Sequence, residues 1–154
     1  MNAGFEVLVI NLATCIVATA LVLLSWRYRP GMWAADLGLP PRDVAAGAVV
    51  ALLIVAVVTG GAVATGLVVA RSFGLLGAGV AGWATMVFFG LWDFVVIDLF
   101  FFIHLRPSWF YVEGMEGTSV PIYEWRHHAK ESLPSLLFGL PVGAIAAGVA
   151  ALVG

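Results

Sequence analysis

The residues with the most chemistry in them stand where an apolar helix should have none. Asp93 and Asp98 lie in the run Leu91-Trp92-Asp93-Phe94-Val95-Val96-Ile97-Asp98, whose other members are hydrophobic. A carboxylate near the middle of a bilayer costs about 2.5–3.5 kcal/mol or more, so such residues default to a functional reading. On an ideal α-helix five residues turn about 500°, which leaves the two carboxylates roughly 140° apart. That spacing excludes a paired acid/base site on one face. His104 lies eleven residues beyond Asp93, on the same α-helical face but about 16 Å along the axis. Asp93, Asp98 and His104 therefore read as stations of a proton or ion path. The plainer alternative is a helix-to-helix hydrogen bond, or an ion pair between Asp98 and Arg106.

A second cluster follows in Glu124-Trp125-Arg126-His127-His128-Ala129-Lys130-Glu131. Glu124 and His127 are three apart, as are His128 and Glu131. On a helix each pair shares a face and could hold a divalent metal, the unit that di-iron carboxylate bundles use. Only one such helix is visible, so Asp98, His104 and Glu116 would have to supply the remaining ligands. The plainer reading is a solvated helix with ordinary charge pairs at four-residue spacing. A third reading is lipid contact, because Arg106, Trp109, Arg126 and Lys130 combine cations and an aromatic ring suited to a phosphate headgroup at an interface.

The elements that must position these groups follow from composition. Of 154 residues, 62% are hydrophobic and 10% are charged, and the formal charge is −2. An ordinary soluble domain carries roughly 25% charged residues. Mean hydropathy is +1.06. Too little polar surface exists to cover a soluble body, and no basic face exists for nucleic acid. The lone Cys15 allows no disulfide within the chain. The expected class is an all-α, polytopic integral membrane protein whose first partner is the lipid bilayer.

Charge-free segments cover residues 7–26, 44–70, 72–92 and 132–154. A membrane helix needs about 20 mostly apolar residues. The expectation is four transmembrane helices, about 5–26, 44–70, 80–103 and 133–153, forming a single domain. The first carries its arginines after the apolar run, unlike a signal peptide. Loops 27–43 and 104–132 hold Arg27, Arg29, Arg42, Arg106, Arg126 and Lys130, whereas the middle connection has only Arg71. The bias of Lys and Arg toward the cytoplasm places both rich loops inside and both termini outside. Small residues recur at four-residue spacing in Ser135, Gly139, Gly143, Ala147 and Ala151, and again in 60–66 and 74–82. Such faces let helix backbones approach closely in lipid. They serve packing within one bundle, or a homo-oligomer or larger membrane complex.

The run Trp92-Asp93, Asp98, Arg106-Pro107, Phe110, Gly114, Glu116-Gly117 and a later histidine resembles a group of uncharacterised bacterial membrane proteins with four predicted helices. The likeness covers about residues 91–128, and the remainder agrees only in hydropathy. It implies a four-helix protein of the bacterial cytoplasmic membrane in which these positions act as a unit, and it implies no activity. His127-His128 stands where the group carries one histidine.

Three functions are compatible with these residues. One is a small, oligomeric protein that handles a proton, cation or metal through Asp93 and Asp98. Another is an interfacial enzyme acting on a lipid headgroup, with Glu124, His127, His128 and Glu131 as metal ligands or acid/base groups. The third is an accessory subunit without chemistry.

Overall fold

The computed structural model describes residues 2–34, 40, 42–110, 125–132 and 134–153, except for the side chains of Phe110, His127 and residues 131–136. Every regular element among the described residues is helical. In chain order they are α1 (Ala3–Tyr28), a 3₁₀ turn (Pro30–Trp33), α2 (Val44–Trp92), a π-helical continuation (Asp93–Leu105), a 3₁₀ turn (Ser108–Phe110), α3 (Trp125–Ser132) and α4 (Pro134–Val153).

Two stretches are long and apolar enough to cross a membrane, Ala3–Tyr28 and the 62-residue Val44–Leu105. α1 begins at Asn2, whose side chain accepts from the Gly4 amide at 3.0 Å. An asparagine cap satisfies one of the free N–H groups of the first turn. Glu6 in the first turn and Arg27 in the last oppose the ends of the helix dipole.

The longer stretch does not run straight. At 1.5 Å per residue its length would be about 93 Å, three times a hydrocarbon core of roughly 30 Å. Gly74 breaks it with φ 64° and ψ −162°, a conformation open to glycine and strained for other residues. The arms 44–73 and 75–105 then fold back on each other. A methyl placed on Gly66 would lie 3.0 Å from the Ala78 carbonyl oxygen, and one on Gly82 would lie 3.6 Å from that of Ala62. Both pairings are centred on residue 72, two before the Gly74 break, as in an antiparallel hairpin.

The second arm thus starts at 75, and Gly77, Gly79 and Gly82 are helical. Tertiary contact explains the last two. A methyl on Gly82 would stand 2.7 Å from Ala146 Cβ, and one on Gly79 3.5 Å from Ala147 Cβ. α4 packs by its own glycines as well. A Gly143 methyl would lie 2.6 Å from the Gly79 oxygen, and a Gly139 methyl 2.8 Å from the Trp83 ring. On the other side Thr14 of α1 packs directly onto Gly61. Gly61, Gly66, Gly79, Gly82, Gly139 and Gly143 are therefore packed within the molecule, whereas Gly60 and Gly74 meet nothing within 4 Å.

The two ends of the bundle are built differently. At one, Glu6 of α1 meets Arg71, close to the hairpin turn, at 3.9 Å. At the other, Val22, Trp26, Ile97 and Phe102 form a buried cluster, with Trp33, Ile54 and Trp109 packed around it. The candidate site lies at that second end.

Candidate functional site

The winding of residues 93–105 sets the geometry of the carboxylates. The segment bonds i→i+5 and closes with Arg106 N–H donating to the Phe101 carbonyl at 3.0 Å. π-helical turns are rare and gather at functional sites. Bonding of this kind winds about 4.4 residues per turn, so positions five apart fall roughly 50° apart instead of 140°. Asp93 and Asp98 are thus closer in direction than an α-helix allows, and the α-helical reading of their spacing is corrected. The same winding removes the shared face expected of Asp93 and His104. His104 is exposed and stacks on Phe100 with 6.2 Å between centroids. Asp93 is half-buried.

Asp98 is buried, and its partner comes from a distant part of the chain. His128 Nδ1 lies 3.1 Å from Asp98 Oδ1, and the two side chains are only 6% and 12% exposed. The expected ion pair between Asp98 and Arg106 gives way to this contact with α3 as the defined partner of Asp98. Arg106 is exposed, takes a left-handed φ of 43°, and turns its Nε onto the Ile103 carbonyl at 2.8 Å.

Aromatic rings hold the histidine in place. Phe102 stacks on the His128 ring at 6.0 Å and 9°. The Trp26 ring meets Phe102 edge-on at 5.3 Å and stacks on Trp33 at 5.5 Å and 4°. Trp33 donates its indole N–H to Ser25 Oγ at 3.0 Å, and Ser25 in turn donates to the Val22 carbonyl at 2.6 Å. α1, the first 3₁₀ turn, the π segment and α3 therefore converge on one buried pair. In such surroundings a charge-assisted hydrogen bond gains strength from the low local dielectric.

The chemistry follows from the imidazole. With Nδ1–H given to the carboxylate, neutral His128 carries its lone pair on Nε2. The pair can accept a proton at Nε2 and hold the resulting imidazolium against Asp98.

The other sequence candidates are placed as follows. Arg126 and Lys130 are exposed on α3, and the Arg126 guanidinium sits 5.7 Å over the exposed Trp125 ring. Trp109 packs partly against the aromatic cluster. Glu116 and Glu124 lie outside the described residues, as do the side chains of His127 and Glu131. Among the described residues no group of three or more His, Cys, Asp or Glu is placed to hold a metal.

Sequence reasoning did not find the cradle of Trp26, Trp33 and Phe102, nor the polar contacts of α1. Thr19 accepts from the Trp92 indole N–H at 3.0 Å. Asn11 donates to the Val7 carbonyl at 2.8 Å and, at 3.5 Å, to Thr65 Oγ1. The available signal was Asn11, Cys15 and Thr19 at four-residue spacing in an otherwise apolar helix.

No family model, no curated protein and no solved structure matches this chain.

Proposed function

We propose that the chain is a four-helix integral membrane protein that handles protons through the Asp98–His128 pair. α1, the two arms of the hairpin and α4 are its spans. Loops 27–43 and 104–132 lie at the cytoplasmic face, and the termini lie outside. The observation behind this reading is the buried 3.1 Å contact that joins an aspartate of an apolar helix to a histidine of the polar connection. Histidine is the side chain whose ordinary titration falls near neutral pH. His128 takes a proton from the cytoplasmic side, and Asp98 receives it within the span. Asp93, less than two turns away, is the next acceptor. The test is proton flux in liposomes. Asp98→Asn and His128→Gln each abolish flux measured with an internal pH dye; unchanged flux in either, or none in the parent, refutes the proposal.

A second role is supported by α3 itself. Trp125 is 56% exposed, and Arg126 and Lys130 are exposed beside it. An aromatic ring with two cations suits anionic headgroups at the interface. α3 then rests on lipid while its inner face carries His128. Retention of anionic lipid by the purified protein, lost in an Arg126→Ala/Lys130→Ala variant, tests this role.

A further inference from the structure

A trough runs along the side of the bundle between the second hairpin arm and α4. Two cavities make it up, of about 660 and 530 Å³, and Leu75 lines both. The first lies between Leu76, Val80 and Trp83 of the arm and Leu140 and Ala144 of α4. The second lies at the hairpin turn, between Leu67 and Arg71 on one side and Ala150 and Val153 of α4 on the other.

Close packing at the floor makes the trough. A Gly143 methyl would meet the Gly79 carbonyl oxygen at 2.6 Å, and a Gly79 methyl would meet Ala147 Cβ at 3.5 Å. The two backbones therefore touch, and the larger side chains are left standing on either side. Those walls are apolar and open, with Leu76 82% and Leu140 60% exposed. In an integral membrane protein they face hydrocarbon. That placement is the one part of the proposed function on which the site rests.

The mouth of the trough has a different chemistry. Arg71 is the charged residue of its lining. The Arg71 side chain is 74% exposed, and its 3.9 Å contact with Glu6 is too long for a hydrogen bond. A guanidinium fork matches two oxygens of a phosphate. Along α4 the lining runs from Leu140 to Val153, about 20 Å at 1.5 Å per residue. Half of a bilayer with its headgroup region is about 20–22 Å. The trough is thus one leaflet long, with a cation at headgroup level and apolar walls below. A second copy of the chain fits less well. In a two-fold dimer through this face, both Arg71 side chains would come to the same end, where like charges repel.

We infer that this trough binds one anionic phospholipid, with its phosphate on Arg71 and an acyl chain laid between Val80 and Trp83 of the arm and Leu140 of α4. The site uses neither Asp98 nor His128. It lies at the end of the bundle opposite α3 and its cations.

Lipid binding by the full chain tests the site without requiring transport. The protein in detergent is titrated with dioleoyl phosphatidylglycerol, and bound lipid is counted by native mass spectrometry. Ala144→Phe, at an exposed position in the trough, weakens binding of the first lipid about tenfold or more, since loss of two buried methylenes already has that effect. Ala151→Phe in the second cavity serves if Ala144→Phe does not fold. Ala51→Phe, exposed on the first arm and outside the lining, leaves binding unchanged. Arg71→Gln weakens phosphatidylglycerol binding roughly tenfold, as expected for loss of one hydrogen bond to a charged group, and leaves binding of dioleoylglycerol, which has no phosphate, unchanged. Glycerol phosphate, a headgroup without chains, does not compete. Equal binding in the Phe variants and the parent overturns the site, as does phosphatidylglycerol binding unaffected by Arg71→Gln. A dimeric parent that Ala144→Phe converts to monomers with no change in bound lipid also overturns it, because a second copy then fills the trough. Flotation with liposomes separates the two readings. A parent that does not float refutes the membrane placement and the site together, whereas failed lipid binding in a parent that floats refutes the site alone. Proton flux in Asp98→Asn bears on neither result.

Discussion

Separating Asp98 from His128 should reveal a coupling that neither residue has alone. Two unit charges 3.1 Å apart at an effective dielectric of 20 attract by about 5 kcal/mol, which is a ceiling. Desolvation of both groups offsets much of it. Hydrogen bonds to charged groups contribute about 1.5–3 kcal/mol net. Interhelical polar pairs inside membranes average nearer 0.6 and reach about 1.7 kcal/mol. The two ranges meet near 1.5 kcal/mol, which is the coupling expected here. The perturbation is a double-mutant cycle with Asp98→Leu, His128→Leu and both together, since leucine can neither donate nor accept. Unfolding in mixed detergent, followed by tryptophan fluorescence, reads stability. Trp26 is 1% exposed in the same cluster, so its emission reports opening of this end. Each single variant strands one buried polar partner and is destabilised, while the double variant is less destabilised than the sum. Additivity within about 0.5 kcal/mol, the usual margin for independent sites, refutes the buried pair. Asp98→Asn should retain part of the coupling, because the amide oxygen still accepts from Nδ1.

Three further outcomes follow from packing and backbone geometry. Gly143→Ala brings a methyl to 2.6 Å from the Gly79 carbonyl oxygen, a backbone atom with little room to yield; it should cost about 1–3 kcal/mol, whereas Gly148→Ala meets nothing within 4 Å and should be neutral or stabilising by up to about 1 kcal/mol, both read from thermal unfolding in one detergent. Gly74→Ala has open space around its new methyl but keeps φ 64°, so backbone strain alone should cost about 1–3 kcal/mol in the same assay. Trp33→Phe preserves a ring against Trp26 but loses the 3.0 Å bond to Ser25; detergent unfolding should show a loss of about 1 kcal/mol, and no loss would argue against that bond.

Much of the architecture could be read from residue order. The charge-free runs and the capping signals of α1 follow from local composition, and the hairpin break falls within the glycine-rich stretch. Which glycine makes the break could not be read there. Gly74, Gly77, Gly79 and Gly82 look alike in sequence, yet only Gly74 has a left-handed φ. Gly79 and Gly82 stay helical beside α4 residues about 65 positions further on, and no local pattern encodes those neighbours. The site was legible as a set of residue types and not as a pair. Asp98 and His128 each stood out, but their partnership depends on α3 folding onto the π segment.

What the sequence determined by itself was a composition that fits a lipid solvent, and the suspects. Sixty-two per cent of the residues are hydrophobic, and two aspartates stand in an apolar run. What only the tertiary structure decided was which suspects meet. An α-helical period carries Asp93 and Asp98 apart, whereas the π winding of residues 93–105 brings their directions together. Phe102, Trp26 and Trp33 come from separate segments and together enclose His128 beside Asp98. The physical reason is range. Hydropathy and charge are properties of neighbours along the chain, while a buried hydrogen bond is a property of groups that only folding places 3 Å apart.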